Sequence, residues 1–166
     1  MASKTDFTSE EWSQVLGSVM MVGAAVTLAD PSGLIGLTKE GFASGSALVA
    51  ARNDPKANAL IKSVVSDFET SEGRAAARDQ MKSRLAGKQP PEMKRTILEA
   101  LGQSTAIIDK KAPDDAPMFK AWLGQISERV ANAASEGGFM GFGGVKVSDA
   151  EKATLEEVSK ALKLSA

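Results

Sequence analysis

The sequence predicts an all-α fold, a compact bundle of about six or seven helices in one domain spanning residues 1–166. Three observations predict it. Apolar residues recur at spacings of three and four along most of the chain, the period of an amphipathic helix. Hydroxyl residues stand three positions before a glutamate at Thr8–Glu11 and Ser148–Glu151, the pattern of a helix-opening capping box. No segment of useful length alternates apolar and polar residues as a half-buried strand does.

Residues 1–8 read as a flexible lead-in. The first helix follows from the Thr8 cap, with Trp12, Val15, Leu16, Val19, Met20 and Val26 on its apolar positions. It is expected to stop near Asp30–Pro31, because a residue before proline avoids the α region. A second helix runs from Ser32 to about Arg52, with Leu34, Ile35, Leu37, Phe42, Leu48 and Val49 as its apolar face. Gly36, Gly41 and Gly45 fall inside it, each costing about 1 kcal/mol relative to Ala. The Gly41–Gly45 pair is one turn apart, a spacing that suits close approach of another helix. Asp54 is the expected N-cap and Pro55 the first residue of a third helix. Leu60, Ile61, Val64, Val65 and Phe68 mark its buried stripe.

Thr70 to Gly73 breaks the pattern. Arg74 to Leu85 is rich in alanine and charge, so a fourth helix is expected to be exposed and thinly packed. Gly87 to Pro91 is a connector. A fifth helix carries Met93, Ile97, Leu98, Leu101 and Ile108. The prolines and aspartates of 112–117 stop it and cap a sixth, whose stripe is Phe119, Trp122, Leu123, Ile126, Val130 and Ala134. A Gly-rich segment, Gly137 to Gly144, follows. The Ser148 capping box then opens a seventh helix carrying Leu155, Val158, Leu162 and Leu164.

Bulk properties bound the function. At 166 residues the chain is long enough to hide roughly 70% of its unfolded surface, so it needs no staple. Hydrophobic residues make up 43% and charged residues 25%, a globular balance. The formal charge of −1 shows no basic excess, and Lys94–Arg95 and Lys110–Lys111 read as solvated faces, so no nucleic acid is expected as a partner. His, Cys and Tyr are all missing. That excludes thiol nucleophiles, imidazole acid–base pairs, phenol chemistry and sites built from nitrogen and sulfur ligands. No cofactor is expected, and the chain reads as a non-enzyme. The start of the chain lacks a signal-peptide pattern. The apolar stretch Val15–Ala29 is interrupted by Gly17, Ser18, Gly23 and Thr27 and falls short of the ~18 apolar residues of a membrane span. The cytoplasm is the default location.

The C-terminal third has a definite cadence: Ile126 to Ala134 in a helix, then Glu136–Gly137, then Val147, Ser148 and Glu151, then Leu155 to Leu164 in another helix. It resembles the helix, acidic-Gly, Val-Ser-x-x-Glu, helix unit of TerB-like (tellurite-resistance-associated) helical domains. Asp30 to Gly33, with Glu40 downstream, echoes the unit near the first two helices. The likeness covers about forty residues well. Glu136 stands where that family more usually has Asp, and the stretch from Gly138 to Gly144 lengthens a turn the family keeps short. The Gly/Phe loop is also similar to that of an uncharacterised bacterial family of helical proteins. The resemblance implies a stress-response or interaction role for a non-enzymatic module.

Four features attract functional readings. The first is the loop containing Gly138, Phe139, Met140, Gly141 and Phe142. It is neither a Walker loop nor a dinucleotide fingerprint, since no Gly-Lys-Ser/Thr follows and no strand precedes. Either its apolar tips contact a protein partner or a second copy of the chain, or they fold back and plug the end of the bundle. The second is the set of helix-end carboxylates Asp30, Glu136 and Asp149, beside Glu151. Oxygen ligands alone suffice for Mg²⁺ or Ca²⁺, so a divalent-metal or small-ligand site is the alternative. Capping chemistry explains the same residues. Asp67, Glu69 and Glu72 are close in sequence, as an acid–base pair would be, but read as exposed charges at a helix end. Trp12 and Trp122 each open an apolar stripe and read as core anchors, with a stacking platform as the other reading.

Overall fold

The computed structural model describes residues 2–29, 37–135 and 147–164. Among these residues there are seven α-helices and no strand: α1 (Ser9–Thr27), α2 (Leu37–Asn53), α3 (Ala59–Glu69), α4 (Ser71–Leu85), α5 (Pro90–Lys111), α6 (Ala116–Ser135) and α7 (Asp149–Ala161). None of the helices there is long and apolar enough to cross a membrane.

Helix α1 is the central post and touches every other helix. Its sequence explains the position. Trp12, Val15, Leu16, Val19, Met21, Val22, Ala25 and Val26 are all buried, so the helix is apolar around most of its circumference. The capping box at its start is present: the Glu11 N–H donates to Thr8 Oγ1 (3.2 Å) and the Thr8 N–H to Glu11 Oε2 (2.8 Å). The helix ends at Thr27, before Asp30–Pro31.

The residues ahead of α1 are not a loose lead-in over 2–8. Lys4–Asp6 form a 3₁₀ turn, and Ala2 and Phe7 are buried. The Ala2 N–H donates to Asp115 Oδ2 at 2.7 Å, and the Phe7 ring meets Trp12 at 5.4 Å between centroids.

Several sequence expectations shift in register. Helix α3 is capped by Asn58 rather than Asp54: Asn58 Oδ1 accepts from the Ile61 N–H (3.0 Å) while its Nδ2 donates to the Asp115 carbonyl (2.8 Å). Asp54 instead accepts from the Lys56 N–H (2.8 Å), a local turn around Pro55. Over residues 45–53 of α2 the buried residues are Ala47 and Ala51, one turn apart, whereas Val49 is 61% exposed. A Cβ on Gly45 would meet nothing within 4 Å, so Gly45 mediates no close helix approach. Helix α4 is charged but not thinly packed. It is the most extensive neighbour of α1. Small residues permit this: Gly73 and Ala77 are buried, and a Cβ on Gly17 would stand 3.1 Å from Gln80 Cβ.

The open glycines give a stability prediction. Gly45 and Gly102 lie inside helices with no atom within 4 Å of an added Cβ. Gly45→Ala and Gly102→Ala are each expected to raise stability by about 0.5–1 kcal/mol in urea melts, because Ala loses less backbone entropy in a helix. A loss of stability in either variant contradicts the open placement.

A charge cluster closes the other side. Asp109 on α5 accepts from Lys120 Nζ on α6 (2.7 Å) and from Lys163 Nζ (3.2 Å), just beyond α7. The Lys120 hydrogen bond, then that of Lys163, holds the Asp109 carboxyl below the ordinary aspartate value against a partial desolvation. The folded state therefore favours the charged form. Its contribution to stability is present above the ordinary carboxylate pKa and is lost as pH falls through the depressed one. Asp109→Asn is expected to be less stable than wild type at neutral pH, with the gap narrowing in acid below the usual carboxylate range. A pH-independent gap contradicts this role.

A candidate apolar groove between α2 and α6

The second half of α2 lines its boundary with α6 with small side chains. Ala47, Ala50 and Ala51 share one face through three- and four-residue spacing. Across from them, α6 presents Met118, Ala121, Trp122, Gln125, Ile126 and Arg129, again one helical face. Methyl groups do not fill the space between the two helices, and a half-open cavity of about 250 Å³ results. That is slightly below the roughly 300–1,000 Å³ of drug-sized ligand pockets, so it suits a small group.

Ala57 and Ile61 complete the floor with Ile126, and all three are buried. Trp122 forms a wall. It is 8% exposed and its ring sits 5.5 Å from that of Phe119, so it is anchored in the core from behind. Its indole N–H has no hydrogen-bond partner among the described residues. Trp12 differs: its indole N–H donates to Asp67 Oδ2 at 2.6 Å. The two tryptophans are thus both core anchors, and Trp122 also lines a groove. Met118 is 46% exposed on the groove rim; with Val49 it is one of the large apolar side chains open to solvent among the described residues.

The rim is polar. Asp54, Lys56, Gln125 and Arg129 surround the opening. The Asp54 carboxylate is engaged by the Lys56 backbone N–H. Among the described residues neither the Lys56 ammonium nor the Arg129 guanidinium has an ion pair, whereas nearby Arg52 pairs with Glu69 at 2.9 Å.

The sites singled out in the sequence fare differently. Gly138, Phe139, Met140, Gly141 and Phe142 lie outside the described residues, as do Asp30 and Glu136. Asp149 opens α7 fully exposed and lies 3.4 Å from Lys152 Nζ. Glu151 is buried and closes the Ser148 capping box, accepting from the Ser148 N–H at 2.7 Å. Among the described residues no group of three or more acidic side chains is placed to hold a metal ion. Asp67, Glu69 and Glu72 form no acid–base pair. Asp67 is not a free surface charge but a tertiary anchor, accepting from Trp12 and from Lys4 Nζ (3.0 Å). Glu69 pairs with Arg52, and Glu72 accepts from the Ser71 hydroxyl at 3.3 Å.

Sequence reading missed the groove. Its signal was present but spread over two distant segments: an all-alanine helix face at 47–51 and an exposed Met118 one turn before a buried Trp122. Comparison with family models, with curated proteins and with solved structures returned no match.

Proposed function

We propose that this chain is a non-enzymatic binding module that holds a small apolar group in the groove between α2 and α6. The observation that carries the reading is the half-open cavity of about 250 Å³, apolar at its floor and ringed by Lys56, Gln125 and Arg129. Core residues otherwise pack to near-crystalline density, so an open apolar cavity with a polar rim is where a ligand or a partner's side chain is accommodated. The carboxylates described above support the reading from the other side, because Glu11, Asp67, Asp109 and Glu151 are already engaged in caps and ion pairs. The TerB-like cadence of α6 and α7 supports a stress-response setting for such a module.

The test fills the groove from an exposed position. Ala121 is exposed and lines the opening, so Ala121→Trp adds bulk there without disturbing the core. The solvent-sensitive fluorophore 1-aminonaphthalene is expected to gain emission with the wild-type protein and to lose that gain with Ala121→Trp, while the two melts stay alike. Equal emission from both proteins removes the groove as the binding site.

A further inference from the structure

We propose that the occupant of the groove is a short single-chain aliphatic carboxylate, its tail on Ile61, Ile126 and Trp122 and its carboxylate against Lys56 and Arg129. The inference rests on the groove reading above and adds the chemistry of the ligand. Two observations carry it. The cavity of about 250 Å³ is too small for a two-chain lipid or a docked helix and suits one short chain. The rim bears three charged residues, Asp54, Lys56 and Arg129, and their sum is positive. Asp54 already accepts a backbone N–H, while both cations lack an ion pair among the described residues. Lys56 and Arg129 are both cationic donors, so the complementary head group accepts hydrogen bonds and carries negative charge. An ammonium head meets like charge at this rim.

Calorimetric titration of the full chain with octanoate, 1-octanol and octylammonium separates the terms. Octanoate is expected to bind at least about tenfold more tightly than octanol, the effect of a charge-assisted hydrogen bond, and octylammonium more weakly than either. The octanoate advantage should shrink at high salt, since the rim is solvent-facing. In the double variant Lys56→Gln, Arg129→Gln, octanoate should fall to the level of octanol while octanol affinity is unchanged. Both substitutions lie on exposed side chains and leave the core intact. Octanol binding as well as octanoate to wild type, or an octanoate preference that survives the double variant, overturns the carboxylate assignment. If 1-aminonaphthalene binds in the groove but octanoate does not, the ligand class falls and the groove reading stands. If neither binds, both fall.

Discussion

Gly73→Ala is expected to destabilise the protein by about 2–3 kcal/mol, although the substitution puts the best helix former into a helix. An added Cβ would lie 2.1 Å from the Asp67 carbonyl oxygen and 2.6 Å from its carbon. Both are backbone atoms, so relief requires the α3–α4 corner to open. That corner is tightly specified. Thr70 ends α3 and caps α4, its Oγ1 accepting from the Gly73 N–H at 2.9 Å. Movement of Asp67 also strains the carboxylate that holds the Trp12 indole and Lys4. For a chain of this length the loss corresponds to a fall in Tm of roughly 5–10 °C. Urea and thermal melts check it, with Gly102→Ala as the control of opposite sign. A neutral or stabilising Gly73→Ala contradicts the packing of this corner.

Phe119→Ala is expected to cost about 3–5 kcal/mol, the largest single effect among the substitutions considered. Phe119 is fully buried and is the largest of the completely enclosed side chains among the described residues. Its removal leaves a cavity behind Trp122, whose ring it contacts at 5.5 Å. Two readouts should therefore move together: the urea midpoint, and the affinity of the groove for 1-aminonaphthalene, because the wall loses its backing. Neighbouring Met118→Ala should change stability by no more than about 0.5 kcal/mol, since Met118 is 46% exposed. Unchanged probe affinity in a folded Phe119→Ala variant would detach Trp122 from the groove wall.

Much of the fold was legible. The Thr8 and Ser148 boxes and the stripe from Phe119 to Val130 are local features, and local hydrogen bonds or helical spacing decide them. Errors arose where a distant residue decides. Asn58 outcompetes Asp54 as a cap because Asn58 alone reaches the Asp115 carbonyl. Helix α4 looked thinly packed because its contacts are made by glycine and alanine, which contribute little hydrophobic signal but permit close approach to α1. Asp67 looked like a surface charge because its partners, Lys4 and Trp12, lie more than fifty residues away. Val49 was misplaced because the last turns of α2 direct Ala47 and Ala51 inward and Val49 to solvent.

The groove follows from the same fact. An alanine face on α2 opposite Met118 and Trp122 leaves space that larger residues would have filled. A sequence reading that weights large apolar residues looks past such a face. It looked instead to the Gly/Phe loop and the acidic junctions. Alanine methyls give the groove its own reporters, because Ala47, Ala50, Ala51, Ala57 and Ala121 all line it. Ala77 and Ala100 are buried elsewhere and serve as controls.

A methyl-labelled alanine NMR titration with 1-aminonaphthalene therefore tests the central claim most directly. The account predicts that the five groove methyls shift together along one binding curve while those of Ala77 and Ala100 stay in place. Shifts at Ala77 or Ala100 with the groove methyls unmoved, or no saturable shift at any of the five, would contradict it.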